Sequence, residues 1–202
     1  MVRRQIFDRG VRGQALLRAF LEVDREVFVG AGLRAEAHGD HPVAIGHGQT
    51  VSQPFMVALM LDALEVRPGV KVLEVGAGSG YVLALLAAMG AKPYGVEWLP
   101  ELADAIPGRL AAAGLRPVPV SCGDGGLGWP QESPFDRILV SAACPEVPPP
   151  LVEQLAPGGI LAAPVGTFYG QELIRLRKGP GGITCEGRGG CVFVPLRGKF
   201  GF

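Results

Sequence analysis

The sequence has no apolar stretch approaching the ~20 residues that a membrane-spanning helix needs. Hydrophobic residues make up 48% of the chain, yet they fall in short runs broken by glycine and proline. No charge of one sign is in excess, because nineteen Lys and Arg balance nineteen Asp and Glu. The totals therefore carry no electrostatic footprint for a nucleic-acid backbone or an anionic membrane, and a modest substrate is expected rather than a polyanion. Cys122, Cys144, Cys185 and Cys191 lack the C-x-x-C spacing of a metal site or redox pair. No signal-type apolar segment follows Met1, so reduced thiols in a cytoplasmic protein are the expectation. Internal repeats, charge runs and an evident interdomain hinge are missing too. A chain of 202 residues can bury a sizeable core, hiding roughly 70% of its unfolded surface. One domain over 1–202, acting as a monomer, is the reading.

What is present divides into three stretches. In the first, 1–60, Ala15, Leu16, Ala19, Phe20 and Val23 recur at helical spacing, whereas Gly39 to Pro54 is rich in Gly, His, Gln and Pro. This segment is expected to pack over a βαβ core at 70–166. There, short apolar strands alternate with helical stretches, the signature of a mostly parallel sheet with helices on both faces. Strands are read at Lys71 to Val75, Pro93 to Glu97, Pro117 to Cys122, Arg137 to Ser141 and Ile160 to Val165, with the first helix running from near Ser79 to Ala88. Over 167–202, Glu172 to Arg177 and Cys191 to Leu196 read as an antiparallel strand pair joined through the glycine-rich turn at Gly179 to Gly182.

Val72 to Gly80 places Gly76, Gly78 and Gly80 directly after a strand and before a helix. Glycines there let a ligand approach the backbone and leave helix N-terminal amides free to donate. An ordinary tight turn can look the same. Two later strands, however, each end in an acid, Glu97 and Asp124, and the carboxyl ends of parallel strands line one crevice. Glu97 can accept both ribose hydroxyls, and Asp124 with the Gly125 amide can recognise the amino edge of an adenine. Both acids could instead be solvated loop residues or helix caps. A dinucleotide fingerprint requires a third glycine where Tyr81 stands, and Glu74 is a poor neighbour for a pyrophosphate. It could orient the turn or face a cationic ligand.

The run from Glu74 to Gly80 resembles the first motif of class I methyltransferases, which implies a Rossmann-like fold and S-adenosylmethionine bound at Glu74, Gly76, Gly78, Ser79, Gly80, Glu97, Asp124 and Gly125, with S-adenosylhomocysteine as product. Asp40 to Pro54, and above all Gly48-Gln49-Thr50-Val51-Ser52-Gln53-Pro54, resembles the signature loop of the protein-L-isoaspartate O-methyltransferases. Gln5-Ile6, Arg25 to Val29, Gly123-Asp124-Gly125, Ser141-Ala142-Ala143 and Phe193 to Leu196 continue the likeness over nearly the whole chain. The resemblance implies methylation of the misplaced carboxylate of isoaspartyl residues in damaged proteins and peptides. Ser52 matches the active-site serine. It is assigned to orient the carboxylate by hydrogen bonding, although a turn-stabilising hydroxyl is the alternative. Thr50 and the loop amides, Val51 included, are helpers. Ser141 stands where substrate and cofactor should meet, or caps the next segment, and Val194 belongs to a region that holds an extended substrate in the family. The family's pattern departs here at Asp24, His38, Val192 and Arg197, so no cofactor contact is carried over to Arg197. His38, His41 and His47 cluster in sequence, but no carboxylate or cysteine completes a familiar metal spacing and none is needed for this chemistry. Phe55, Met56, Met60 and Leu64 read as a buried helical stripe. Trp98 and Trp129 could flank adenine, with packing as the default. A methyltransferase of the same fold acting on a small molecule or another protein site is the alternative.

Overall fold

The computed structural model describes all 202 residues. Its centre is a seven-stranded sheet built from β3 (Lys71–Val75), β4 (Lys92–Glu97), β5 (Val120–Cys122), β6 (Phe135–Val140), β7 (Leu155–Thr167), β8 (Gly170–Gly179) and β9 (Gly182–Cys191). The order is β5-β4-β3-β6-β7-β8-β9. Strands from β5 to β7 run parallel, and β8 and β9 add an antiparallel hairpin at one edge. The interior strands are apolar on both faces because both are covered. Along β3, Val72 joins one core while Leu73 and Val75 join the other; Leu139 in β6 likewise opposes Ile138 and Val140. This two-residue alternation is what the pleat imposes.

The larger core takes in α1 (Gln14–Glu22), α2 (Pro54–Ala63), α3 (Tyr81–Ala88) and α4 (Pro100–Ala112) through Phe20, Leu61, Leu85 and Ile106. The smaller core, on the opposite face, lies under α5 (Pro149–Glu153), which contributes Leu151. No helix is long and apolar enough to cross a membrane.

Three expectations are corrected. Helix α3 starts at Tyr81 rather than near Ser79, because Gly80 sits at φ 86°, a left-handed conformation that cannot continue a right-handed helix. Strand β5 is shorter than read, with Pro117 and Pro119 lacking the N–H that a ladder needs. The second strand of the antiparallel pair is Gly182–Cys191, not Cys191 to Leu196. Beyond Cys191 the chain leaves the ladder and lies beside Ala143, whose N–H donates to Val194 O at 2.8 Å and whose carbonyl accepts from Leu196 N–H at 2.7 Å.

The polar loop before α2 also folds more regularly than read. Val43–Gly46 (β1) and Gln49–Val51 (β2) form an antiparallel hairpin. Its two-residue turn has His47 at φ 53° and Gly48 at φ 72°, the double left-handed pattern that matches strand twist. Ile45 leans over the glycine turn, its Cδ1 lying 3.6 Å from where a Cβ on Gly78 would stand.

Candidate active site

The carboxyl ends of β3, β4 and β6 open onto one cleft. The turn after β3 is anchored to β4 by the Gly76 N–H donating to Val96 O at 2.8 Å. Glu97 ends β4 almost wholly buried; its two carboxylate oxygens accept from Gly78 N–H (2.8 Å) and Leu99 N–H (2.9 Å). Each oxygen keeps a lone pair for a further donor. Across the cleft stand Gly125 and Val194 to Arg197. A Cβ on Gly125 would lie 2.5 Å from Val75 Cγ1, so the wall there is bare backbone of necessity.

Behind the glycine turn, Glu74 is buried at 1% exposure. Its Oε1 accepts from the Ser141 hydroxyl at 2.8 Å, and its Oε2 has no partner. Burial pushes this carboxyl well above the usual range and the nearby Glu97 adds to it, while the Ser141 bond and the backbone N–H of Leu83 oppose it. A buried oxygen without a donor is costly unless a ligand supplies one.

On the other side of Thr50 and Ser141 lies a second cavity of about 480 Å³, walled by Pro42, Ser52, Met56 and the 190–194 segment. A small third cavity joins Glu74, Ser79 and the glycine turn to Val51 and Ser52. Thr50 and Ser141 stand in the walls of all three cavities. The loop from Val51 to Gln53 is gripped from beneath by Arg25, which donates to Ser52 O at 2.8 Å and to Ala37 O at 2.7 Å.

The residues singled out from sequence are brought together unequally. Gly76, Gly78, Glu97 and Gly125 face the main cleft, as do Thr50, Ser141 and Val194. Glu74, Ser79, Val51 and Ser52 face the joining cavity. Gly80 shapes the helix start. Asp124 is differently employed: its oxygens accept from Gly126 N–H (2.9 Å) and Lys199 N–H (2.8 Å), fastening the C-terminal tail, and the side chain is not in the cleft wall. Ser141 bonds to Glu74 rather than capping the next segment. Trp98 lines the cleft, whereas Trp129 packs edge-on against Tyr94 at 5.9 Å. In the helical stripe Met60 and Leu64 are buried, while Met56 faces the acceptor cavity. The three histidines are exposed; His38 stands 3.4 Å from Glu26, with Asp24 nearby.

Sequence reasoning missed Arg25, Met56 and the presence of Arg197 in the cleft wall. Nothing in the pattern of Asp24 to Phe28 distinguishes a buried arginine from a surface one.

The parallel sheet, the glycine turn after its first strand and the acid closing the next define a class I methyltransferase fold. Within that class the chain belongs to the protein-L-isoaspartate(D-aspartate) O-methyltransferase family, whose model matches residues 1–201. A protein-L-isoaspartate O-methyltransferase of Methylorubrum populi is 52% identical over 97% of this chain and 92% of its own. Among solved structures, one protein-L-isoaspartate O-methyltransferase superposes with a TM-score of 0.89 at 26% identity, covering 100% of this chain and 67% of that one. A second, from Plasmodium falciparum in complex with S-adenosyl-L-homocysteine, gives 0.82 at 27% identity over 95% of this chain and 94% of that one.

Proposed function

We propose that this chain is an S-adenosylmethionine-dependent protein-L-isoaspartate O-methyltransferase, esterifying the free carboxylate of isoaspartyl residues in damaged proteins and peptides. One observation carries the reading: the cofactor cleft and the acceptor cavity share Thr50 and Ser141 as a common wall, so the two reactants meet there. When bound, S-adenosylmethionine supplies a sulfonium methyl group and is left as S-adenosylhomocysteine. The residues present fit that ligand. Glu74 Oε2 lacks a partner that a cationic ligand can replace, Glu97 keeps lone pairs for ribose hydroxyls, and the Gly76 to Gly80 turn and Gly125 leave backbone accessible. Gly125 offers backbone to the adenine, with Asp124 holding its turn from outside the cleft wall through the Gly126 N–H.

An isoaspartyl carboxyl has an ordinary pKa near ~4 and arrives already ionised, so the protein needs no general base. Its task is to aim one carboxylate oxygen at the methyl group and keep competing water out. Ser52 suits the aiming: its hydroxyl is free of bonds within the chain and faces both the acceptor and joining cavities. Thr50, Val51 and Ser141 complete the wall, and Val194 with its neighbours offers backbone to an extended peptide. The product ester then re-closes to succinimide without help, the neighbouring peptide nitrogen expelling methanol.

The protein is further proposed to work as one domain and a monomer, in a reducing cytoplasm that keeps its four cysteines as thiols, with no nucleic-acid or membrane partner. The test pairs two peptides differing only in Asp against isoAsp, incubated with labelled S-adenosylmethionine. Label in the isoaspartyl peptide alone is expected; equal labelling, or cofactor binding with no transfer, defeats the proposal. Ser52→Ala should lower turnover about 10-fold or more while leaving cofactor affinity in place, the loss of one hydrogen bond to a charged group.

A further inference from the structure

One of the most deeply buried ionisable groups in the molecule lies outside the residues assigned so far. Arg25 is 0% exposed, yet it takes part in none of the salt bridges of the structure. Its partners are carbonyls: Ala37 O at 2.7 Å, Ser52 O at 2.8 Å and, more loosely, Val51 O at 3.4 Å. Its carbon lies 4.8 Å from the centre of the Tyr81 ring, on the first residue of α3. The Tyr81 phenol, pushed up to about 12 by burial, is neutral and no counter-charge. A second nitrogen of the guanidinium, Nη1, makes no hydrogen bond, and the Tyr81 hydroxyl, also without one, stands close enough to the guanidinium to favour its charge.

A buried cation with no anion is expensive to maintain unless an anion is drawn to its neighbourhood. The geometry of the loop shows where. The Val51–Ser52 and Ser52–Gln53 peptide bonds are trans. Planar trans units whose carbonyls point at Arg25 send the N–H groups of Ser52 and Gln53 the opposite way. Neither N–H has an acceptor within the chain, and both residues line the acceptor cavity. That cavity has no cationic side chain in its wall, and the joining cavity has none either. A carboxylate arriving at Ser52 therefore meets a hydroxyl and two unpaired amides, with a guanidinium bound to the far end of the same peptide groups. Successive free amides form an anion-binding concavity. A cation on the carbonyl polarises each unit and strengthens its N–H as a donor.

We infer that Arg25 is the positioning residue of the acceptor site: it holds the Val51 to Gln53 peptide groups so that the Ser52 and Gln53 amides face the isoaspartyl carboxylate, and it provides the positive charge that the cavity wall lacks. The role rests on the isoaspartyl function proposed above. It explains how a cavity of neutral walls selects an anion.

The experiment uses Arg25→Gln and Arg25→Lys in the full chain, with an isoaspartyl peptide as substrate and its isoasparaginyl twin, a neutral carboxamide of the same shape, as a competitive ligand. Calorimetry with S-adenosylhomocysteine reports the cofactor side. In Arg25→Gln the KM for the carboxylate peptide should rise roughly 10-fold or more. Affinity for the carboxamide twin and for S-adenosylhomocysteine should hold. The preference for carboxylate over carboxamide thus collapses, which a merely structural arginine would not cause. Equal weakening of both peptides, or an unchanged KM, overturns the role. Should Arg25→Gln fail to fold, Arg25→Lys is read in the same way, since one ammonium nitrogen on a flexible stem does not reproduce the rigid plane in which Nε and Nη2 fix the Ala37 and Ser52 carbonyls: selective loss for the carboxylate supports the role, and equal loss refutes it. A wild-type protein that ignores the isoaspartyl peptide defeats the function itself. A wild-type protein that methylates it while Arg25→Gln keeps its carboxylate preference defeats only this role.

Discussion

At Glu74, one carboxyl oxygen accepts from Ser141 and the other makes no hydrogen bond, with only the Leu83 N–H beside the carboxyl, in a buried position at the edge of the joining cavity. Burial raises its pKa in the folded chain above the unfolded value near ~4.3. Between those two values the folded chain keeps a proton that the unfolded chain releases, so ligand-free stability falls as pH rises through the window. Replacing the group by a neutral amide removes that dependence. Ligand-free Glu74→Gln should melt above the wild type at pH near ~7 and lose the advantage toward pH ~4, while binding S-adenosylhomocysteine more weakly. Thermal melts across that range, with calorimetry alongside, check it; an offset in melting temperature that is the same at every pH would count against the assignment. Sequence alone showed that an acid precedes the glycines. It could not show that Ser141, 67 residues away, occupies just one of its oxygens.

Among the elements, α3 depends most visibly on a single backbone angle. Gly80 caps it at φ 86°, and an added Cβ would stand 3.0 Å from Ile106 Cγ2 of α4. Gly80→Ala should cost about 1–2 kcal/mol from the left-handed conformation, before any displacement of Ile106. Gly30→Ala is the control, since Gly30 has an ordinary φ of −63° and open space around its Cα. Urea denaturation distinguishes them, and equal midpoints for the two variants would refute the strain. How far each element could be read ahead follows from burial. Strand β3 was legible because Val72, Leu73 and Val75 are apolar on both faces and end at glycines. Strand β9 was not, because it is an exposed edge carrying Gly187, Gly189 and Gly190 with few apolar residues to mark it. The β1–β2 hairpin escaped for a related reason: its turn is His47-Gly48, and its strands are only four and three residues long. Asp124 was seen as an acid after a strand. That the tail returns from 75 residues away to take one of its oxygens is a tertiary fact with no local signature.

Over the whole molecule the charge balance is even, and the acceptor cavity carries no ionised side chain in its wall. The guanidinium behind it is buried, where mobile ions reach poorly. The KM for an uncharged-flank isoaspartyl peptide should therefore stay nearly constant between about 0.05 and 0.3 M salt, a range over which exposed charge pairs weaken markedly. Steady-state assays at several ionic strengths decide the matter; a steep rise in KM would mean that surface charge steers the substrate.

Most of the acceptor cavity comes from two outer stretches of the chain, Pro42 to Met56 and Gly190 to Val194, joined by Ser141 from the middle, which also supplies the glycine turn and Glu97. Donor and recipient are thus written in largely separate passages of the sequence, which overlap at Thr50, Ser141 and Val194. A library that varies only the outer residues standing clear of the cofactor cleft, Pro42, Met56, Val192 and Phe193, would re-address the methyl group to other carboxylates while the machinery that offers it stays untouched.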